Sequence, residues 1–144
     1  MFERILVGIK FSGSGRSVIQ TGVELSKIHN SRLHILHVLD YNLKRLHEDD
    51  PELKRNIDEA CSHFDREFKP LTADLERVKF ECLPGDPAMA ICRIARETEA
   101  DLILLGCHQR PDGTPLVRVD YVGSTILEKS PCPVLLIPRI DMGS

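Results

Sequence analysis

Short aliphatic runs alternate with longer amphipathic segments along this chain. Most runs are rich in Ile, Leu and Val, and they end at Gly, Ser, Pro or charged residues. Such runs are typical of strands that are buried on both faces of a parallel sheet. The pattern predicts five strands, at Ile5–Ile9, Leu33–Leu39, Val78–Leu83, Leu102–Leu105 and Val134–Ile137.

The segments between the predicted strands have the spacing of helices. The first begins at a cap at Ser12 or Ser14, ends near Asn30, and has a predicted apolar stripe of Val18, Val23, Leu25 and Ile28. The second begins at Pro51 and continues to Phe68, because proline is tolerated in a first helical turn. The third follows an Asp86 cap and is predicted to bury Met89, Ile91, Cys92 and Ile94, and a short fourth helix is predicted over Ser124–Lys129.

Strands that alternate with helices form right-handed βαβ crossovers. The order therefore predicts an α/β fold with an open, Rossmann-like, parallel five-stranded sheet and helices on both faces. The 144 residues fit a single domain over 1–144, and we expect residues 141–144 to be a disordered tail.

Charge and cysteine usage restrict the function. The net charge of -3 with intermixed acids and bases argues against nucleic acid or an anionic membrane as a partner. Five cysteines without CxxC spacing indicate a reducing cytoplasm. No signal peptide or membrane-spanning segment is predicted.

In an open parallel sheet, ligands bind outside the carboxyl ends of the strands, where the strand order reverses. Four segments are predicted to share that edge: Gly8–Ser14, Val38–Tyr41, Pro84–Pro87 and Gly106–Ser124. The last carries three glycines and follows an aliphatic strand, so it is a candidate phosphate-binding loop.

Several of these segments resemble the universal stress protein family over Glu3 to Pro138. The matching stretches are RILVGIKFS, LHILHVLD, ADLILLGCHQ and GSTILEKSPCPVLLIP. The resemblance implies a fold similar to that of adenine nucleotide alpha hydrolases and a homodimer formed through the last strand. It also implies membership of either a nucleotide-binding or a non-binding group.

The binding group carries Gly-x2-Gly-x9-Gly-Ser/Thr after the fourth strand. Gly106 matches the first glycine and Gly123 the last, but Gln109 stands at the second glycine position and four extra residues follow it. In an alternative alignment Gly113 takes the second place, because nine residues separate it from Gly123. Both alignments stay open. The resemblance implies a nucleotide site of Gly8, Lys10, Val38, Gly106, Gly113, Gly123, Ser124 and Thr125.

Lys10 departs from the family pattern, because nucleotide-binding members usually carry Asp there. An ammonium cannot accept hydrogen bonds from the nucleoside, although it can pair with phosphate. Lys10, Arg110 and Arg118 form either an anion site or a set of solvated loop charges. Val38 matches the position beside the adenine.

Two hypotheses follow. The first is a cytoplasmic, homodimeric stress-response binding or signalling module with an altered pocket that binds ATP weakly or not at all, acting through unknown protein partners. The alternative is a universal stress protein that binds ATP or AMP through a lengthened glycine-rich loop. Slow ATP hydrolysis is the least favoured reading, since no general base or Mg²⁺ carboxylate stands near the loop.

The histidines and Cys107 give no clear catalytic centre. His34 and His37 lie three residues apart, which places them on opposite faces of a strand and favours structural roles over a metal site. His108 has no nucleophile or base partner beside it in the sequence, and Cys107 is predicted to be an ordinary thiol unless its loop is exposed and electropositive.

Overall fold

The computed structural model describes residues 1–10, 15–40, 50–109, 117–118 and 121–140. Its strands are β1 (Arg4–Ile9), β2 (Arg32–Asp40), β3 (Val78–Gly85), β4 (Leu102–Gln109), β5 (Val117–Arg118) and β6 (Val134–Ile140). Its helices are α1 (Gly15–His29), α2 (Pro51–Glu67), α3 (Pro87–Glu97) and α4 (Tyr121–Lys129), and a short 3-10 helix at Lys69–Thr72 follows α2.

Five of these strands form one parallel sheet, which confirms the predicted fold class. The order across the sheet is β3, β2, β1, β4 and β6. The chain moves from β1 to β3 in one direction and then crosses to β4 on the other side of β1. The strand order therefore reverses between β1 and β4.

Two hydrophobic clusters cover the two faces of the sheet. One joins the sheet to α1 and α2 and includes Val7, Ile35 and Phe64, whose ring stacks on Phe80 at a centroid distance of 4.1 Å. The other joins the sheet to α3 and α4 and includes Leu36 and Ile126. A reversal between β1 and β4 accounts for this division, because right-handed crossovers in opposite directions place helices on opposite faces.

Two side chains that were predicted to be buried are exposed. Ile28 is 72% exposed and Met89 is 64% exposed. Each lies two residues from a buried position, Ser26 in α1 and Ile91 in α3. Two residues turn a helix by roughly 200°, so both side chains point away from the sheet.

Helices α2 and α3 begin as the sequence predicts. The Asp50 carboxylate accepts a hydrogen bond from the Glu52 N–H at 3.0 Å, and the Asp86 carboxylate accepts one from the Met89 N–H at 3.0 Å. A proline occupies the first helical position in both helices. The predicted caps Ser12 and Ser14 lie outside the described residues. Within the described part of the chain, every helix is too short or too polar to cross a bilayer.

Candidate functional site

The described ends of β1, β2, β3 and β4 meet along one edge of the sheet, here called the carboxyl edge. In the register, Ile9 lies beside His37, Val38 lies beside Leu83, and Gly8 lies beside Leu105. Lys10 follows Ile9 and lies near the level of Val38, and Gly106 follows Leu105 and lies near the level of His37. This edge contains the strand order reversal, where ligands of such sheets bind.

Gly8 has a packing role that explains why this position lacks a side chain. A Cβ atom at Gly8 would lie 3.0 Å from Ile91 Cδ1 and 3.0 Å from Leu105 Cδ2. The missing side chain therefore lets α3 pack closely on β1. The packing of Ile91 and Leu105 is therefore a sufficient reason for a glycine at this position, with no ligand involved.

Lys10 is exposed at the point where the chain leaves β1. Its backbone lies close to the first residue of α1, because a Cβ atom at Gly15 would lie 2.9 Å from the Lys10 carbonyl oxygen. This backbone contact leaves no room for a side chain at Gly15. A cation here can attract an anion but cannot accept a hydrogen bond from a ribose hydroxyl.

His37 links two strands just below the carboxyl edge. Its Nδ1 atom donates a hydrogen bond to the Ile9 carbonyl oxygen at 2.9 Å. Burial lowers the pKa of His37, and the hydrogen bond to this carbonyl opposes that shift. The imidazole therefore acts as a neutral crosslink between the ends of β1 and β2.

His34 lies on the other face of β2 and is held by a carboxylate. Its Nε2 atom lies 3.1 Å from Glu81 Oε1, and its side chain is 16% exposed. Burial lowers the pKa of His34, while the Glu81 charge opposes the shift. No three His, Cys, Asp or Glu side chains among the described residues form a group that could hold a metal ion.

Gly123 and Ser124, the last two residues of the sequence motif, lie inside α4. The helix begins at Tyr121, so Ser124 is its fourth residue and does not open it as the sequence suggested. Gly123 is buried, Ser124 is exposed and Thr125 is half-buried. Gly113 and Arg110 lie outside the described residues.

Strand β5 is the feature of this edge that sequence reasoning missed. It pairs antiparallel with the end of β4, with Arg118 beside His108 and Val117 beside Gln109. His108 and Gln109 pair with β6 on their other side, so β5 must lie on the side of β1. The last described pair between β1 and β4 is Gly8 with Leu105, three residues before His108.

Strand β5 therefore lies in line with β1 and directly beyond its end, at the strand order reversal. The short alternation of apolar and polar residues in VRVD, residues 117–120, was the available signal for a strand. Cys107, one residue before His108 in β4, is buried, which fits the prediction of an ordinary thiol.

A family model described as the universal stress protein family matches residues 1–138. The universal stress protein Sll1654 of Synechocystis sp. is 33% identical over 143 residues, which cover 96% of this chain and 87% of that protein. The structure of universal stress protein UspA from Lactobacillus plantarum matches with a TM-score of 0.74 at 25% identity, covering 94% of this chain and 97% of that one.

A second structure, the universal stress protein from Archaeoglobus fulgidus in complex with dAMP, matches with a TM-score of 0.62 at 21% identity, covering 94% of this chain and 98% of that one. At this identity the match shows the fold alone. The family model and the Synechocystis relative go further, because they cover nearly the whole chain. The chain therefore belongs to the universal stress protein family.

Proposed function

We propose that the protein is a stress-response binding and signalling module whose nucleotide pocket is altered, so that ATP binds weakly or not at all. The observation that carries the proposal is the position of β5, which pairs with β4 in line with β1. A backbone segment at the strand order reversal competes for the space where ligands of this fold bind.

Lys10 supports the same proposal. It replaces an acceptor by a donor at the end of β1, so hydrogen bonds from a nucleoside would have no partner at this position. A ligand site that leaves a polar group without its partner typically loses about 1–3 kcal/mol per group. Lys10 and β5 would therefore weaken nucleotide binding through two separate effects.

Titration calorimetry with ATP and AMP tests the proposal. The protein is first stripped of nucleotide, and a denatured aliquot is checked for ligand that copurified with it. We expect no saturable heat at micromolar ligand. Micromolar affinity for ATP would show that the proposal is wrong.

A variant that restores the family spacing makes the test sharper. Deleting residues 112–115 together with Gln109→Gly returns Gly-x2-Gly-x9-Gly-Ser to the chain. We expect ATP affinity to rise by about ten-fold or more, which corresponds to about 1.4 kcal/mol. The matched control deletes the same residues but keeps Gln109, and it separates the effect of loop length from that of the glycine.

We propose further that the protein is a homodimer formed through β6. Among the described residues, β6 pairs with β4 alone, and Leu135 is 41% exposed on it. A hydrophobic edge strand of this kind invites pairing with another copy, and a two-fold axis makes that pairing self-complementary. Sedimentation analysis of Leu135→Glu should show monomers, whereas the control Ile28→Glu, on the exposed face of α1, should remain dimeric.

The cytoplasm is the proposed location. The five cysteines are free thiols, and burial raises the pKa of Cys82 to about 11. Burial also raises the pKa of Cys92 and Cys132. Thiols held in their protonated form fit a reducing compartment, in which no disulfide is needed for stability.

Binding of ATP or AMP is the second candidate function. It is favoured by the half-buried position of Val38 at the end of β2 and by the dAMP bound to the Archaeoglobus relative. In that case Lys10 would neutralise phosphate, and Lys10→Ala should weaken ATP binding more than adenosine binding. Equal losses of affinity for ATP and adenosine would show that Lys10 does not contact phosphate.

A further inference from the structure

An arginine stands at or immediately before the start of three neighbouring strands, at the edge of the sheet opposite to the carboxyl edge, here called the amino edge. Arg4 of β1 and Arg32 of β2 are direct partners in the strand register. Arg77 comes immediately before β3, and its carbonyl oxygen accepts the Leu33 N–H at 2.9 Å. These three residues, called the arginine row, therefore lie side by side at one level of the sheet.

The three guanidinium groups differ in their partners. Arg4 Nη1 forms an ion pair with Glu99 Oε2 at 2.9 Å. Arg77 Nη2 donates a hydrogen bond to the Asn30 carbonyl oxygen at 2.6 Å. Within the described part of the chain, no carboxylate lies within ion-pair distance of Arg32 or Arg77. Like charges on adjacent strands repel each other, so an anion between these two would remove an unfavourable interaction.

Two open cavities meet at the arginine row. Their volumes are about 640 Å³ and about 390 Å³, and both are lined by Arg4, Arg32 and Arg77. The larger one is also lined by the aliphatic residue Val78, which is half-buried. Its volume lies in the range of small-molecule sites in proteins, about 300–1,000 Å³.

Four carboxylates also line these cavities, and two of them form an ion pair. Glu99 pairs with Arg4, and Glu97 Oε1 lies 3.9 Å from Arg93 Nε. Glu3 and Glu76 remain, and both are exposed, so water screens their charge. Arg32 and Arg77 are exposed as well, so an anion is favoured here by the adjacency of these two guanidinium groups in the strand register and not by a net positive charge of the cavity walls.

We propose that the arginine row binds a small anion with two negative charges, a phosphate monoester or a dicarboxylate, in the cavity at the amino edge. The planar guanidinium fork matches both groups, because it donates two parallel hydrogen bonds to a pair of oxygens. Arg32 and Arg77 would hold the anion from adjacent strands, and the aliphatic wall would contact its carbon skeleton. This site is separate from the carboxyl edge and does not depend on the function proposed there.

Amide chemical shifts of the full-length ¹⁵N-labelled protein test the proposal. Inorganic phosphate and succinate are titrated separately at low ionic strength, and sodium chloride at matched ionic strength corrects for screening. We expect saturable shifts at residues 3–5, 31–33 and 76–79 with at least one of the two anions. Saturation by phosphate alone, by succinate alone or by both identifies the anion class, and each of these results supports the site.

The competing explanation is that the arginines only complement the carbonyl-rich ends of neighbouring helices, as the contact between Arg77 and Asn30 illustrates. It predicts that neither anion produces saturable shifts at millimolar concentration. That result would overturn the proposal.

Variants of Arg32 assign the binding to the arginine row. Arg32 is exposed, so its replacement should leave the fold intact. We expect Arg32→Gln to weaken binding about ten-fold, and Arg32→Lys to lose less because it keeps the charge. The control is Arg55→Gln, the same change at an exposed arginine of α2. Equal affinities for Arg32→Gln and Arg55→Gln would show that Arg32 does not bind the anion.

Discussion

The two edges of this sheet differ in what determines their chemistry. At the carboxyl edge, β5 lies beyond the end of β1, and the exposed cation Lys10 comes close to the first residue of α1. At the amino edge, the first residues of neighbouring strands set the charge, as Arg4 and Arg32 show. A change of loop length therefore acts mainly at the carboxyl edge, whereas a point substitution at a strand start acts mainly at the amino edge.

The difference between the two edges explains why the fold of a family does not determine which ligand binds at either edge. The shared sheet supplies the positions, while loops and strand starts supply the groups that a ligand would contact. The same β4 that pairs with β1 over Leu102–Leu105 pairs with β5 farther along. Each edge can thus gain or lose a site while the sheet between them stays the same.

The largest effect is expected from a substitution in the hydrophobic core, on which both edges of the sheet depend. Leu104 is fully buried in β4 and pairs with Val7 of β1. We expect Leu104→Ala to lower the free energy of unfolding by about 2–5 kcal/mol, since it removes buried methyl groups and leaves a cavity. Urea unfolding measures this change.

Leu127→Ala is the matched control, because Leu127 is 46% exposed on α4. It should cost less than about 1 kcal/mol. Similar losses for the two variants would mean that Leu104 does not hold the sheet together as the structure indicates.

A substitution at Gly15 should affect the carboxyl edge alone. Its Cβ atom would meet the Lys10 carbonyl oxygen at 2.9 Å, and a backbone atom cannot rotate away. We expect Gly15→Ala to lower the free energy of unfolding by about 1–3 kcal/mol and to displace Lys10. Anion titration at the amino edge should be unchanged.

Gly22→Ala provides the comparison for that variant. A Cβ atom there would lie 3.1 Å from Val7 Cγ2 and 3.2 Å from Leu33 Cδ1, which are side-chain atoms that can shift. Because alanine also favours the helix by about 1 kcal/mol, the net change should be smaller than at Gly15. A larger loss of stability for Gly22→Ala than for Gly15→Ala would contradict the importance assigned to the contact between Gly15 and the Lys10 carbonyl oxygen.

The pH dependence of stability should distinguish two histidines, one near each edge. Burial lowers the pKa of His34, beside the amino-edge cavity, and of His37, below the carboxyl edge. Below the ordinary histidine pKa of about 6.5, the unfolded chain binds protons that the folded chain does not. The free energy of unfolding should therefore fall as the pH drops from about 7.5 to about 5.5.

Urea unfolding across this pH range measures the effect, and His34→Gln and His37→Gln should each remove part of the slope. Glutamine keeps a polar group of similar size without a titration in this range. An unchanged slope in both variants would assign the pH dependence to the carboxylates.

The sequence predicted the parallel sheet because its strands are short aliphatic runs separated by helix-length segments. It failed at Ile28 and Met89, since hydrophobic side chains two residues from a buried position also occur on exposed helix faces. It also missed β5, because a two-residue strand has too little pattern to separate it from a loop, and its pairing with His108 is a contact between strands that the pattern along the chain does not show. The arginine row was missed for the same reason, since Arg4, Arg32 and Arg77 come together only through the strand register.

The smallest expected effect concerns Arg4, and it decides whether the arginine row serves stability or binding. The side chains of Arg4 and Glu99 are 45% and 81% exposed, so their ion pair should contribute less than about 1 kcal/mol. We expect Arg4→Gln to leave urea unfolding almost unchanged and to weaken anion binding less than Arg32→Gln does, because Glu99 already shares the Arg4 guanidinium.

Glu99→Gln should then strengthen anion binding, since it releases Arg4 to the anion. If Arg4→Gln instead destabilised the fold by more than about 1 kcal/mol, the row would be part of the framework of the sheet. In that case the difference between the two edges would lie in stability as well as in chemistry.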